Sequence, residues 1–184
     1  GFIQSTQAGN KELQWEKNRS FDVALEFGFF DNRLNGQIEF FHRISDNLLF
    51  EVPLPTSSGV LSQWQNIGSM YNQGIELQLG GDVVRTKDVT WNILVNASHI
   101  KNEITKLPQE EIISGTKKYM VGHSMYDFWL RKWEGVDPET GDALYLKDIK
   151  DAEGNVTGSE IVNDYTIADY YYVGTSIPDL YGSI

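Results

Sequence analysis

The sequence predicts an all-β fold built from long antiparallel strands. Aromatic residues make up 12% of the 184 residues, and many of them lie in runs where apolar and polar side chains alternate. The 17 glycines stand mostly at the ends of these runs, where turns form. Helical periodicity is weak throughout, whereas a period of two is typical of a strand with one apolar face.

Charge and composition exclude several function classes. The 15 Lys and Arg against 26 Asp and Glu give a net charge of −11, which disfavours attraction to nucleic acid or anionic lipid headgroups as a main activity. The chain has no cysteine, which removes disulfides, thiolate zinc sites and cysteine nucleophiles. No apolar run approaches about 18 residues, which excludes a transmembrane helix but not a transmembrane strand of about ten alternating residues.

The beginning of the chain has no targeting signal. Residues 1–5 have neither the basic region nor the apolar region of a signal peptide. The protein is therefore cytoplasmic, or the chain does not begin at its natural start.

The first element is a hairpin predicted over residues 13–44. Apolar side chains occupy every second position of residues 21–29, and the positions between them are polar or small. Residues 31–33 form a short polar turn, and the next run alternates again with only Phe41 out of pattern. A long loop is predicted over residues 45–65, because two prolines and a Thr-Ser-Ser-Gly cluster break the pattern.

A second hairpin is predicted over residues 66–101. Ile75, Leu77 and Leu79 share one face of its first strand, and residues 86–88 form its turn. The run that follows alternates with the exception of Leu94.

The remainder is predicted to be mostly loop. In residues 102–174 the alternation fades, and polar and glycine-rich stretches dominate. Between Glu134 and Asp169, ten acidic residues against two lysines give a net charge of −8, which is most of the total. Residues 175–184 are predicted to begin a further strand.

About four full strands of this kind fit two architectures. In a large transmembrane β-barrel, each strand turns an apolar face to lipid and a polar face to the lumen, and short turns alternate with long loops. A soluble antiparallel sheet with one face on a core gives the same alternation. The length of the runs favours the barrel, since a strand that crosses hydrocarbon needs about nine to eleven residues and soluble strands usually have about five or six.

No arrangement of residues predicts an enzyme. His42, His99 and His123 lie far apart and form no zinc-hydrolase motif, and the chain has no nucleophile elbow, phosphate loop or G-x-G-x-x-G. Residues 148–155 contain the residue types that bind calcium but lack the EF-hand register, and they fit the turn of a surface hairpin as well. We therefore predict no metal and no cofactor.

Three residues outside the clean strands are candidate ligand contacts. Trp64, Trp129 and Arg131 lie in predicted loops, where aromatic rings can stack on sugars or apolar ligands. The alternative explanation is that these aromatic side chains pack the loops together.

Five stretches of the sequence, taken in order, resemble one family. The first, residues 9–17, is similar to that family's N-P-x-L-x-W-E strand opening, with Lys11 in place of the usual proline. The others are residues 46–55, 66–76, 121–142 and 177–182. By these motifs the chain resembles the C-terminal barrel region of SusC/RagA-type TonB-dependent transporters. The motif residues expected to have structural roles are Trp15, Glu16, Asn66, Gly68, Asn72, Gly74, Glu76, Gly135, Asp137, Pro138 and Gly141.

The resemblance implies a location and a topology. Residues 1–184 would be part of a TonB-dependent receptor β-barrel domain in the outer membrane of a Gram-negative bacterium. The two short turns would be periplasmic, and the connections at 45–65 and 102–174 would be extracellular. Family members also have a plug domain and many more strands, so the chain looks like an internal fragment. The polar face toward the lumen would include Glu26, Glu39, Glu76 and Gln78.

The function implied by the resemblance is nutrient import. Such a transporter takes up oligosaccharides or peptides, works with a SusD-type surface lipoprotein and receives energy through the TonB complex. The chain would supply barrel wall and ligand-facing loops. The alternative is a soluble β-rich glycan-binding module, which would have to bury residues 21–29 and 89–95 in its own core.

Overall fold

The computed structural model describes residues 7–184 and consists almost entirely of β-strands. Residues 1–5, in which the sequence shows no signal peptide, lie outside the described residues. Two 3-10 helices cover Thr56–Ser58 and Tyr165–Ile167. No helix within residues 7–184 has the length and apolar character needed to cross a membrane. The strands are β1 (Gln7–Ala8), β2 (Lys17–Phe29), β3 (Leu34–Pro53), β4 (Ser62–Arg85), β5 (Thr90–Lys106), β6 (Glu111–Ser114), β7 (Lys117–Met120), β8 (Asp127–Arg131), β9 (Trp133–Val136), β10 (Ala143–Lys150), β11 (Val156–Val162), β12 (Tyr170–Thr175) and β13 (Tyr181–Ser183).

The chain divides into two compact units. The first contains residues up to Glu111 together with Met120–Met125 and Ile177–Ile184, and the second contains Ile112–Tyr119 and Tyr126–Ser176. The large sheet belongs to the first unit, and most of the short strands belong to the second.

The first unit is a sheet in the order β13–β5–β4–β3–β2, with β1 paired in parallel to β4. Strands β2 to β5 contain 13, 20, 24 and 17 residues, far more than the five or six usual in soluble sheets. Neighbouring strands of this set are antiparallel, and β2–β3 and β4–β5 are the two predicted hairpins. The predicted all-β antiparallel fold with four long strands is confirmed.

The register of these strands creates two different faces. Residues directly opposite each other in an antiparallel pair share a face, so aligned residues form rows across the sheet. One row is apolar and consists of Leu25, Ile38, Leu77 and Ala97. The next row is polar and consists of Ala24, Glu39, Glu76 and Ser98. We call the side of the first row the apolar face and the side of the second row the polar face.

The apolar face is open. Phe21 is 61% exposed, Leu25 66%, Ile75 53% and Trp91 55%, although a soluble protein would cover such residues. The soluble glycan-binding alternative required residues 21–29 and 89–95 to lie in an internal core. The structure leaves them uncovered and gives that alternative no support.

The connection predicted at 45–65 is much shorter than expected. Strand β3 continues to Pro53 and β4 begins at Ser62, so only residues 54–61 connect them. Asp46 and Asn47, which resemble a turn, form a bulge in which Asn47 adopts a φ of +57° and the register shifts by one residue. A bulge twists a strand without ending it, and this is why the pattern suggested an early end.

The region predicted as loop at 102–174 also contains strands. Strand β5 runs on to Lys106, and β6–β7, β8–β12 and β9–β10–β11 form small sheets. These strands have four to eight residues, and the longest of them, β10 and β11, do not alternate strictly between apolar and polar residues, so the period of two that marks a strand is missing. The strand predicted near the end of the chain is β13, which pairs with β5.

The two residues that break the alternation pack over glycines of β4. Phe41 lies opposite Gly74 and is only 4% exposed, and its ring covers the space where a Cβ of Gly74 would be. Leu94 lies opposite Gly80 in the same way. These pairs place a large side chain on a small one across the polar face, so the exceptions are consistent with the register.

Gly74→Ala should destabilise the sheet. A Cβ at Gly74 would lie 2.4 Å from the His99 carbonyl oxygen and 2.7 Å from Cζ of Phe41, so backbone and ring must both move. We expect a loss of about 1–3 kcal/mol in the free energy of unfolding. The measurement is urea unfolding of the full-length protein in lipid vesicles, followed by tryptophan fluorescence.

Gly81→Ala is the matched control for this substitution. The atoms nearest to its Cβ lie 3.4 and 3.8 Å away, which are ordinary contact distances. Its effect should stay within about 0.5 kcal/mol. Equal effects of the two substitutions would contradict the proposed packing of Phe41 on Gly74.

Candidate functional site

The polar face carries an open recess between β3, β4, β5 and β13. Its volume is about 530 Å³, and Gln37, Gln78, Asn96 and Tyr181 contribute to its lining. A second recess of about the same volume adjoins it near Glu26 and is lined largely by amide side chains. The predicted lumen residues Glu26, Glu39, Glu76 and Gln78 all lie on this one face.

Acidic side chains lie close together on the polar face. Glu39 lies directly opposite Glu76, an arrangement in which like charges repel. Among the described residues, the only polar contact to the Glu39 side chain is a long one from Nε2 of Gln37, at 3.4 Å. Within residues 7–184, none of Glu26, Glu39 and Glu76 belongs to an ion pair. This face therefore suits water or a polar partner and not a dry core.

Two of the three predicted ligand contacts lie together in the second unit. Trp129 on β8 stands opposite Tyr172 on β12, and its ring lies 5.0 Å from that of Tyr172 and 6.3 Å from that of Tyr170. The Lys118 ammonium lies 4.3 Å from the centre of the Trp129 ring, within cation–π range. Trp129 is thus the centre of a cluster that contains two tyrosine rings and the Lys118 ammonium.

Arg131 holds the neighbouring segment in place. Its Nε donates to the Ala168 carbonyl at 3.1 Å and its Nη2 donates to the Thr166 carbonyl at 3.2 Å. Its guanidinium also stacks over the rings of Tyr165 and Tyr170 at 4.2 and 4.9 Å. These two rings remain 49% and 43% exposed, so the cluster presents aromatic surface to solvent.

Trp64 is the third predicted contact. It belongs to β4 in the first unit, opposite Glu51, and is 38% exposed. The side chain of Asn10 donates to its carbonyl oxygen at 2.9 Å. The three predicted contacts are therefore divided between the two units.

Asn66 and Glu16, two of the motif residues, fasten the segment before β2 to the sheet. Oδ1 of Asn66 accepts the Gln14 N–H at 2.7 Å, and its Nδ2 donates to the carbonyls of Gln14 and Asn47 at 2.8 Å each. A carboxylate oxygen of Glu16 accepts the Leu49 N–H at 3.0 Å. These contacts satisfy backbone groups where the bulge interrupts the ladder.

Trp15 and Gly68, two further motif residues of this region, differ in their surroundings. Trp15 is 91% exposed, although both of its neighbours in sequence are fastened to the sheet. Gly68 lies under the ring of Phe50, where a Cβ would come within 2.2 Å of that ring.

Asn102 is a buried polar residue whose role the sequence does not predict. It is 4% exposed, and its Nδ2 donates to Oδ1 of Asn72 at 2.9 Å and to the Tyr71 carbonyl at 3.3 Å. Its Oδ1 accepts the Ser124 hydroxyl at 3.0 Å and the Met125 N–H at 2.9 Å. Asn102 therefore joins β4, β5 and the segment Met120–Met125.

The sequence signal for this role is limited to a motif in the segment that Asn102 contacts. Residues 121–128 form one of the family-like motifs, but alternation along β5 does not show which segment meets Asn102. In the structure, the Ile104 N–H donates to the His123 carbonyl and the Gly122 N–H donates to the Ile104 carbonyl, both at 2.9 Å. The motif segment thus pairs with β5 at Ile104, a residue that is also aligned with Met70 of β4.

The motif at residues 135–141 forms the turn between β9 and β10. Oδ1 of Asp137 accepts the N–H groups of Glu139 and Thr140 at 2.8 and 3.3 Å, and the Gly141 N–H donates to the Asp137 carbonyl at 2.8 Å. Gly135 and Gly141 adopt φ values of +126° and +79°, which favour glycine. Pro138 follows Asp137 at the position where a fixed φ suits such a turn.

The stretch considered for calcium forms the turn of the β10–β11 hairpin. Oδ1 of Asp151 accepts the N–H groups of Asn155 and Glu153 at 2.8 and 3.1 Å. These donors, with the Asn155 N–H contributing most, hold the pKa of Asp151 below its usual range. No group of three or more His, Cys, Asp or Glu within residues 7–184 is arranged to hold a metal ion. Residues 151–155 therefore form the turn of a hairpin, which is one of the two interpretations of this stretch.

A second carboxylate cluster surrounds Tyr171 in the same unit. The Tyr171 hydroxyl donates to Oδ1 of Asp148, and Oδ2 of Asp169 accepts the Asp148 N–H at 2.8 Å. Partial burial and the adjacent Asp148 carboxylate raise the pKa of Tyr171. The neutral tyrosine is therefore a fixed part of the packing between β10 and β12.

Comparisons with known proteins agree on one family. The family described as "TonB dependent receptor-like, beta-barrel" matches residues 1–179. The TonB-dependent receptor SusC of Bacteroides thetaiotaomicron is 39% identical over 102 residues, covering 55% of this chain and 10% of SusC. A TonB-dependent receptor of Formosa agariphila is 31% identical over 186 residues, covering 93% of this chain and 18% of that protein.

Solved structures give the same result. A structure of the RagAB peptide transporter is 30% identical with a TM-score of 0.76, covering 95% of this chain and 20% of that one. The RagAB peptide importer in its open-open state is 28% identical with a TM-score of 0.78, covering 95% and 19%. The chain thus spans between about a tenth and a fifth of the length of the proteins it matches.

Asn102→Ala should release the segment Met120–Met125 from β5. The Met125 N–H loses its acceptor, and we expect a cost of about 1–3 kcal/mol. Hydrogen exchange of the full-length protein, read at the amides of Gly122 and Met125, should accelerate roughly tenfold or more. Asn96→Ala is the control, since the one hydrogen bond of the Asn96 side chain within residues 7–184 is to the Ser183 hydroxyl, at 3.2 Å. Unchanged exchange in Asn102→Ala would show that this segment is held by other contacts.

Proposed function

The chain belongs to the TonB dependent receptor-like β-barrel family, and from this premise we propose that it forms part of the wall and outer loops of a nutrient importer in the outer membrane of a Gram-negative bacterium. The relatives it matches are receptors and importers, and the sequence contains no enzyme motif. Transport, and not catalysis, is the activity that this premise supports.

The observation that carries the proposal is the height of the apolar face. Along β2, the face extends from Phe21 to Phe29, a span of about 26 Å at about 3.3 Å per residue. At a strand tilt of about 40°, this covers about 20 Å of membrane thickness, close to the height of about 25 Å of the apolar band on transmembrane barrels. Within this span the apolar rows lie side by side on all four long strands.

The opposite face supports the same orientation. A barrel lumen is wet, and the acidic and amide rows of the polar face need contact with water or polar groups. We propose that Glu26, Glu39, Glu76 and Gln78 face this lumen. The turn at residues 30–33 and the turn at 86–89 would then be periplasmic, and the other ends of the strands would be extracellular.

The partners of the full-length protein are inferred from the family to which the chain belongs. We propose that the full-length protein receives energy from the TonB complex and acts with a SusD-type surface lipoprotein. The family description and the likeness to SusC and to the RagAB importer support these two partners. The second unit, which contains Trp129, would belong to the extracellular region that meets the ligand.

The ligand class proposed is an oligosaccharide or a peptide. The likeness to RagAB, which is a peptide importer, supports a peptide. The exposed rings around Trp129 and Arg131 would suit either class, since aromatic faces stack on sugar rings and on apolar side chains alike. Trp64, Trp129 and Arg131 remain the proposed contact residues.

Leu25→Lys tests the orientation of the sheet. Leu25 lies in the middle row of the apolar face, where a buried lysine should cost about 2–4 kcal/mol. Ile93 lies two rows nearer the short turns. Ile93→Lys should therefore cost less, about 0–1 kcal/mol, because this row lies near the interface between membrane and water. The measurement is the free energy of folding of the full-length protein into lipid vesicles. Gln78→Lys, on the polar face, should be tolerated, and a penalty there equal to that of Leu25→Lys would reverse the orientation.

Trp129→Ala tests the transport function. Bacteria that lack the full-length protein should regain uptake of either a labelled oligosaccharide or a labelled oligopeptide when it is restored. Trp129→Ala should weaken uptake roughly tenfold at limiting ligand, because a stacking surface worth about 1.5 kcal/mol is lost. Trp133→Ala is the control, since Trp133 is 61% exposed and lies on β9, outside the cluster. Restoration of neither uptake would contradict nutrient import.

A further inference from the structure

The apolar face ends in a belt of polar side chains at the side away from the short turns. Three adjacent rows of the sheet form this belt, and all lie on the same side as Leu25. The members of the polar belt are Lys17, Arg19, His42, Asp46, Ser69, Tyr71, Gln73, Lys101, Glu103 and Lys106. The belt crosses all four long strands and adjoins the open apolar rows on the side away from the short turns.

The polar belt is ordered by its own contacts. Arg19 pairs with Asp46 at 2.5 Å, and Lys101 pairs with Glu103 at 2.7 Å. The Tyr71 hydroxyl also donates to Glu103 at 2.7 Å, and its ring lies beneath the Lys101 ammonium at 5.9 Å. The belt therefore has a fixed arrangement of charges.

In both ion pairs the cation is the outer partner. The side chain of Arg19 is 70% exposed against 29% for Asp46, and that of Lys101 is 55% exposed against 26% for Glu103. Lys17 and Lys106 are exposed and form no ion pair within residues 7–184. The belt thus presents four cations outward above two recessed carboxylates, in a chain whose net charge is −11.

The opposite end of the sheet is balanced in charge. Around the two short turns, three basic residues accompany three acidic ones: Arg33, Arg85 and Lys87 with Asp31, Asp82 and Asp88. Arg85 is more exposed than its partner Asp82, at 52% against 20%, whereas Lys87 and Asp88 are both open, at 89% and 76%. The excess of positive charge, four cations against two carboxylates, is therefore a property of the polar belt and not of the end with the short turns.

We propose that the polar belt binds the phosphate groups of anionic lipid headgroups at one surface of the bilayer. This inference rests on the proposed function, because it requires the apolar face to contact lipid acyl chains. A lipid whose chains lie on the apolar rows has its headgroup at the level of the belt. Guanidinium and ammonium groups form charge-assisted hydrogen bonds with phosphate oxygens, and the acids behind them orient the cations outward.

The experiment uses the full-length protein in nanodiscs that contain equal amounts of phosphatidylglycerol and phosphatidylcholine. The ratio of the two lipids that remain bound after mild detergent extraction is measured by mass spectrometry. The wild-type protein should retain phosphatidylglycerol preferentially. Lys17→Gln with Lys106→Gln removes two cations that have no ion-pair partner, and it should reduce this preference roughly tenfold. Raising the salt concentration should reduce the wild-type preference as well.

Two further variants separate charge from structure. Lys17→Arg with Lys106→Arg keeps both charges and should keep the preference. Arg33→Gln with Lys87→Gln removes two charges from the other end of the face and should also leave the preference intact. No preference in the wild-type protein, or equal loss in both glutamine variants, would overturn the proposal. Failure of the wild-type protein to insert into a bilayer at all would instead contradict the proposed function.

Discussion

The register between the four long strands is the constraint on which the rest of the sheet depends. Side chains alternate between faces with a period of two, so a slip of one residue would exchange the faces. It would bring Glu39 and Glu76 into the apolar rows and turn Leu25 toward the acidic ones. The pair of Phe41 and Gly74 fixes the register between β3 and β4 further, because the Phe41 ring has space only over a residue without a Cβ.

The irregular parts of the ladder lie outside the apolar rows. Register shifts occur near Asn47, at Ser69 and at Asp82, and the pairing between these levels is unbroken. A sheet that crosses hydrocarbon must satisfy each backbone group by itself, whereas beyond the hydrocarbon side chains and water can take over. Asn66 and Asn102 do this at the belt end of the sheet, since an amide side chain offers the same donors and acceptor as a peptide group.

The sequence predicted the sheet better than it predicted the site. Strong alternation in residues 21–29 and 75–79 predicts the strands, their faces and their short turns. This alternation is local, because each residue of a strand points to the face opposite to that of its two sequence neighbours. The bulge at Asn47 concealed the continuation of β3, since its residues are those of a turn. Asn102 and the cluster around Trp129 depend on segments far apart in the chain, and such contacts leave no local pattern. Arg131 was identified as a candidate, but its carbonyl contacts could not be foreseen.

The two faces of the sheet require two different media. In a soluble sheet one face is covered by a second layer, but here Leu25 and Phe21 are mostly exposed on the apolar face, within the part of the chain that the structure describes. The polar face cannot be that dry interior either, because the directly opposed Glu39 and Glu76 would repel each other strongly without solvent. Water or polar groups on one side and lipid on the other satisfy both conditions. A closed barrel wall is the arrangement that supplies both media and also pairs the free edges of β2 and β13.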